Sequence, residues 1–327
     1  MLQNIQVCVV WNIYIPTAFK ANRFIDAFNS LIEVGLMRHS IRIRGEFASF
    51  IKENLSRAAL DKPYEISWFH KELTRDWQLN TLEQVLQSQT TLVLLMQEDH
   101  ICIGEMQNVS NFIKFFFETD CESSPLSFYS TYKEQREILS STKNILDNKY
   151  GVFTILQKNW QKDIPTPRFP VSLVGLFKKS SLITMLLNTR PFIKKYPPLT
   201  PFNFEQAPNQ KWFLPLKFAL PKFEFLACID DDAKIPNTSL QKRAIYYLDN
   251  ERINEHNQLS TVPDVQQFLK KVNKFIKFNG SILSFRVLRS LNWIQYLLNT
   301  LYWVRYRFSL KHCNHINSLK KIQGLSE

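Results

Sequence analysis

The run Thr91-Leu92-Val93-Leu94-Leu95-Met96-Gln97-Glu98-Asp99-His100 passes from a largely apolar stretch straight into charge. Its apolar part is too short for a self-sufficient buried helix and suits a strand covered on both faces, as in a parallel sheet. Whatever follows such a strand lies at the carboxyl edge of the sheet, where ligands of open α/β folds bind. Here that is a pair of adjacent carboxylates, Glu98 and Asp99, followed by His100.

Upstream of this run the chain alternates between the two periodicities. Ile5–Trp11 is apolar and β-branched, a buried strand. Pro16-Thr17 opens a helix that carries Phe24, Phe28, Leu31 and Ile32 on one face and ends at Gly35 as its C-cap. Ser40–Arg44 predicts a second strand, Glu46–Ala59 a helix, Glu65–Phe69 a third strand and Thr81–Gln89 a short helix. Strands separated by helices and short loops predict an α/β fold, a doubly wound, mostly parallel central sheet flanked by helices. Both Trp11-Asn12 and Glu98-Asp99 then sit on one edge.

Further along, residues 105–165 read as mostly helical and polar, with Asn111–Thr119 and Lys133–Leu146 the clearest helices and Ser127–Ser130 a strand candidate between them. Gln161–Pro170, with three prolines, is a loop. Phe169–Phe177 reads as a strand and Lys178–Asn188 as a helix. Lys194–Asn209 is a loop or short helix, and Lys222–Ile229 a strand running into Asp230-Asp231-Asp232.

Composition bounds the rest. The chain has 327 residues, 45% of them apolar, and only 7 glycines, which is enough to bury a core and argues against disorder over most of the length. The 5 cysteines (Cys8, Cys102, Cys121, Cys228 and Cys313) are scattered without a CxxC pair and read as reduced core residues of a cytoplasmic protein. No secretory signal opens the sequence, and no segment reaches the roughly 20 apolar residues of a spanning helix. The formal net charge of +12 is unevenly placed, since from Val265 to the end Glu327 is the sole acid. Walker-type, GxGxxG, GxSxG and HExxH motifs are missing, which removes support for P-loop kinases, Rossmann dehydrogenases, α/β-hydrolases and zincins.

Adjacent carboxylates at the end of a buried strand need a partner or a cation, unless they sit on an open, solvated loop. Hard divalent ions suit them, Mg²⁺ or Mn²⁺. Residues 76–100, from Asp76-Trp77-Gln78-Leu79-Asn80 through Leu94-Leu95-Met96-Gln97-Glu98-Asp99-His100, resemble the donor-site segment of family-2-like glycosyltransferases of the GT-A fold. In that family a helix precedes an apolar strand ending in an Asp-X-Asp or Glu-Asp-Asp type motif. Val7-Cys8-Val9-Val10-Trp11-Asn12 is similar to the family's first strand, whose end contacts the nucleotide base. The likeness covers roughly the first two thirds of the chain, as a pattern and an order of elements. It implies a nucleotide-sugar donor bound near Val10, Trp11, Asn12, Asp76 and Glu98. It also implies a divalent cation (Mn or Mg) at Asp99, with His100 either a further ligand or a hydrogen-bonding neighbour. The sequence has no clean Asp-X-Asp, because Gln97 stands where an acid would be expected.

On the acceptor side, Val174-Gly175-Leu176-Phe177-Lys178-Lys179 and the helix behind it are similar to the family's acceptor-side strand and helix. Glu205, in Pro201-Phe202-Asn203-Phe204-Glu205, has the relative position of the family's general base. An inverting transfer needs a carboxylate to take the acceptor hydroxyl's proton, and an apolar setting would raise its pKa. The competing reading makes Glu205 a helix cap. Asp230, Asp231 and Asp232 form the densest charge cluster, either a second ligand set or acceptor loop or simply a solvated turn. Lys242 and Arg243 close behind could hold a pyrophosphate.

The expected organisation is a GT-A-like domain over residues 1–262, with a donor half to about 104 and an acceptor half after it. A basic, aromatic, helical region follows at 263–327. Within that region Ser290–Val304 is uncharged, rich in Trp, Tyr and Leu, and flanked by arginines. That suits a helix lying on an anionic membrane surface, with a glycan or lipid-linked acceptor, or else a core-packing helix with a basic outer face. Rival readings are a GT-A-like scaffold without activity, a nucleotidyltransferase, and a nucleic-acid binder using the basic end. Nucleic acid is the less expected partner, since the strand tips are acidic.

Overall fold

The computed structural model describes residues 5–59, 64–70, 77–126, 145–147, 149–156, 171–189, 201–205, 213, 216–230, 239–243 and 246. Its centre is β1 (Val7–Tyr14), seven of whose eight residues are buried. Side chains alternate across a strand. Val7, Val9, Trp11 and Ile13 therefore join the core on one face, while Cys8 and Val10 join the core on the other. Both faces are apolar because both are covered.

On the first face lie α1 (Ala18–Glu33), α2 (Ala48–Ala58) and α4 (Met106–Glu118), through Phe24, Phe28, Ile51, Leu55, Phe112 and Phe116. On the second lie α3 (Trp77–Gln87), α5 (Lys179–Asn188) and α6 (Pro201–Glu205), through Leu79, Leu82, Leu182, Leu186 and Phe204.

Parallel pairing joins β1 to β2 (Arg38–Arg44) and to β4 (Leu92–Met96), and β2 to β3 (Glu65–Trp68). β9 (Gly175–Lys178) runs antiparallel to both β4 and β6 (Ser123–Pro125). β10 (Leu216–Pro221) lies parallel to β6, β8 (Gly151–Leu156) antiparallel to β10, and β7 (Ile145–Asp147) antiparallel to β8. The order is β3-β2-β1-β4-β9-β6-β10-β8-β7, nine described strands of which only β8 and β9 oppose the rest. The expected mostly parallel sheet flanked by helices is the one observed. β5 (His100–Cys102) and β11 (Leu226–Cys228) form a separate antiparallel pair.

Several expectations need correction. The stretch 105–165 is not mostly helical where it is described, because β6, β7 and β8 lie in it. Ile145 and Leu146, expected at the end of a helix, belong to β7. Val152-Phe153-Thr154-Ile155 is a run of good strand formers. Of the described part of Phe169–Phe177, which begins at Val171, only the part from Gly175 is strand, and Lys222–Ile229 is strand only over Leu226–Cys228. The rest of Lys133–Leu146, Ser127–Ser130, Gln161–Pro170 and the region 263–327 lie outside the described residues.

Two glycines shape the edge near β1. Gly35, at φ +86°, ends α1 with its N–H on Ile32 O at 3.0 Å and the Leu36 N–H on Leu31 O at 3.0 Å, the paired bonds of a Schellman stop. Gly45, at φ +102°, has room for no side chain, since an added Cβ would lie 2.4 Å from Ile15 O. It locks the ends of β1 and β2 together. Among the described residues, no helix is long and apolar enough to cross a membrane.

Beneath α3 the packing turns polar. Arg42, 2% exposed, pairs with Glu83 and donates to Asn80 O at 2.9 Å. Gln84 donates to Trp11 O and to Ser40 O at 3.1 and 3.0 Å. On the opposite face His39 is buried between the Trp11 indole N–H, which donates to Nδ1 at 3.1 Å, and Leu36 O, 2.8 Å from Nε2. This is a neutral imidazole with its proton on Nε2. Burial lowers its pKa to about 3, against the pull of Leu36 O. A proton that the unfolded chain accepts near pH 6.5 is then refused by the folded one. The neutral form's stability is present above that pH and is lost as pH falls toward 3. Urea unfolding should therefore show about 2 kcal/mol less stability at about pH 5 than at about pH 8 from this group alone. His39→Gln should flatten that part of the profile.

Candidate functional site

β4 ends at Met96, and Gln97–Asp99 turn the chain into β5, with the His100 N–H reaching Gln97 O at 3.4 Å. The Asp99 carbonyl then accepts from the Ile229 N–H at 2.7 Å, and His100 stands opposite Cys228. The two acidic segments, far apart in the sequence, are therefore neighbours. Pairing of β5 with β11 brings Glu98, Asp99 and His100 together with Cys228 and Asp230.

Helix α1 supplies cations. Thr17 caps its start, accepting from the Lys20 N–H at 3.3 Å, and Lys20 and Arg23 follow at helical spacing on one face. Lys20 Nζ meets Glu98 Oε1 at 2.7 Å. Arg23 grips Asp230 with both terminal nitrogens, at 3.0 and 2.7 Å, and its guanidinium lies 4.0 Å from the Phe19 ring centroid. This arginine is buried while Asp230 is partly exposed, so the pair straddles the rim. The sequence reading singles out neither Lys20 nor Arg23. Their signal is there all the same: two cations three residues apart on the helix that follows β1.

Asp99 Oδ1 lies 2.7 Å from His100 Nδ1. Burial pushes the Asp99 carboxyl up, but the His100 charge and hydrogen bond, its own backbone N–H and the Arg23 charge outweigh it, leaving the pKa below the usual range. Asp99, His100 and Cys228 place one ligand atom each within 4.8 Å of one another. This set of oxygen, nitrogen and sulfur donors could hold a cation. Cys228 Sγ lies 2.6 Å from Asp230 O.

Glu205, at the end of α6, is held by the segment before β9. Its Oε1 accepts from the Leu173 N–H at 2.6 Å and from Ser172 Oγ at 3.0 Å. Burial raises its pKa above the carboxylate range against those two bonds, with the His100 charge lowering it and the Asp99 charge raising it. Asp99, His100 and Glu205 thus share one electrostatic environment, although they come from distant parts of the chain.

The remaining expected site residues fall elsewhere. Val10 and Trp11 are core residues, 1% and 0% exposed. Asn12, also buried, donates to Trp77 O at 3.0 Å and Thr81 Oγ1 at 2.9 Å, accepts from Arg44 at 3.2 Å, and its carbonyl takes the Trp77 indole N–H at 3.0 Å. These side chains are engaged with the interior, below the edge. Asp76, Asp231 and Asp232 lie outside the described residues. Lys242 is exposed, whereas Arg243 holds Glu224 through two bonds of 2.8 and 2.7 Å with both side chains buried. The two neighbouring side chains therefore stand in different surroundings. The described cysteines are free and buried, as expected, and burial pushes Cys8 and Cys102 up to about 12.

No family model and no curated protein matches the chain. Among solved structures it is similar to S. aureus TarS 1-349 in complex with UDP-GlcNAc, at 10% identity and a TM-score of 0.43, over 74% of this chain and 62% of that one. It is also similar to the mannosyltransferase PcManGT from Pyrobaculum calidifontis in complex with GDP-Man and Mn2+, at 9% identity and 0.40, over 98% and 88%. A UDP-glucose pyrophosphorylase complexed with UDP-glucose aligns at 13% identity and 0.38, over 67% and 91%. The matched part spans about three fifths of the TarS 1-349 chain.

Removing one partner of a buried ion pair strands the other charge. Arg243→Met should lower stability in urea unfolding by about 3 kcal/mol, and Glu224→Leu added to it should restore much of the loss.

Proposed function

We propose that the chain is a nucleotide-sugar-dependent glycosyltransferase that moves a sugar to a hydroxyl acceptor by inverting displacement. The observation that carries this reading is the meeting of Asp99-His100 and Asp230 at the carboxyl end of β4, with Lys20 and Arg23 from α1 among them and the buried Glu205 feeling the charges of His100 and Asp99. The family resemblance of residues 76–100 supports the same assignment.

The donor lies along the edge formed by the ends of β1 and β4, its diphosphate toward Asp99 and the α1 cations. A divalent cation held at Asp99 and His100 would neutralise charge on the leaving diphosphate. Glu205 takes the acceptor hydroxyl's proton as that oxygen bonds to the anomeric carbon and the bond from the anomeric carbon to the diphosphate breaks. Burial raises the carboxyl's pKa, which makes it a stronger base. Its bonds to Leu173 and Ser172 fix its direction. The charge developing on the sugar is positive, so a carboxylate nearby also stabilises it. The basic region at 263–327 would keep the enzyme on an anionic membrane surface beside a glycan or lipid-linked acceptor.

Screening nucleotide sugars by thermal shift should find a donor that raises the melting temperature, since a ligand of the native state alone stabilises it. With that donor, Glu205→Gln should retain binding and lose roughly a hundredfold to ten-thousandfold in turnover. Asp99→Asn should weaken the cation-dependent part of donor binding. Unchanged turnover in both variants would remove the site assignment. Release of pyrophosphate in place of a nucleoside diphosphate would identify nucleotidyl transfer instead.

A further inference from the structure

We infer that the cation site of this edge is built for a borderline, zinc-class ion bound through the Cys228 thiolate, and not for the hard Mg²⁺ or Mn²⁺ that the family resemblance implies. The inference rests on the reading of this edge as a cation site and changes which ion occupies it.

Three observations carry it. The first is the donor set. Asp99, His100 and Cys228 offer a carboxylate oxygen, an imidazole nitrogen and a sulfur within 4.8 Å of one another. Mg²⁺ takes oxygen ligands in a near-ideal octahedron, whereas imidazole and thiolate favour zinc and its neighbours. The second is placement. His100 and Cys228 are directly opposed on paired antiparallel strands, so the strand register holds them together. Asp99 joins them through the bond from the Ile229 N–H to its carbonyl.

The third is charge. Lys20 pairs with Glu98 and Arg23 with Asp230. Two acids that a hard ion would use are already neutralised. The Asp99 carboxylate and a Cys228 thiolate together match the charge of one divalent ion. Three protein ligands leave a fourth position of a tetrahedral shell for a phosphate oxygen or water, the pattern of zinc sites that act on substrates. On binding, the Cys228 S–H bond breaks, a sulfur–metal bond forms and the proton passes to solvent, with no change of oxidation state.

The test uses the full chain, reduced and stripped of metal, with Co²⁺ alone as the spectroscopic probe. The wild type should develop a near-ultraviolet sulfur-to-cobalt charge-transfer band, which Zn²⁺ should displace and a large excess of Mg²⁺ should not. Cys228→Ser should lose the band, and Cys102→Ser should keep it. If Cys228→Ser does not fold, X-ray absorption on the zinc-loaded wild type decides, with one sulfur expected at about 2.3 Å. A metal shell without sulfur, a band that survives Cys228→Ser, or displacement by equimolar Mg²⁺ would overturn the inference. The donor reading is checked separately. If it alone fails, no nucleotide sugar stabilises the protein while the cobalt band persists; if the inference alone fails, the reverse is seen.

Discussion

The pairing of β5 with β11 is the constraint on which the site depends. Without it, Asp99 and His100 would end one strand and Asp230 another, in parts of the chain with no local reason to meet. The ladder from His100 to Cys102 aligns them residue by residue, and the Ile229 N–H bond to Asp99 O extends the alignment to the acids themselves. The Arg23–Asp230 contact then spans 207 residues of sequence. A contact of such sequence separation carries a large loop-closure cost, which the surrounding sheet must offset.

The electrostatics follow from that geometry. Packed together, the carboxylates at the end of β4 would repel one another. Helix α1 answers with Lys20 and Arg23, positioned because the helix's apolar face, from Ala21 to Ile32, must lie on β1. The same burial that fixes Phe24 and Phe28 therefore aims the two cations at the acids. Glu205 is positioned in a different way, by bonds from the backbone and hydroxyl of the segment before β9.

Much of the first hundred or so residues was legible because their elements are long, locally patterned and bounded by turn residues. α1 announces itself through Phe24, Phe28, Leu31 and Gly35, and β4 through its unbroken Leu-Val-Leu-Leu-Met. The part that follows was harder. β6 is Ser-Ser-Pro, three residues with no strand pattern, and is a strand only because distant β9 and β10 flank it. β11 sits inside a longer apolar run whose length hid the point where it leaves the main sheet. The acids were visible as residue types, and their companions were not. Cys228 looked like any core cysteine, and Lys20 and Arg23 like ordinary helix charges.

The polar layer between α3 and the sheet has a further bearing. Arg42, Glu83, Asn80 and Gln84 are matched to one another and to strand carbonyls at single positions, whereas an all-leucine contact would tolerate sliding. A buried charge that finds its partner in only one alignment acts as a vernier: a helix displaced by one turn would strand Arg42 in an apolar medium. Because α3 leads directly into β4, that alignment sets how far the strand projects, and so the depth at which its terminal carboxylates meet the solvent.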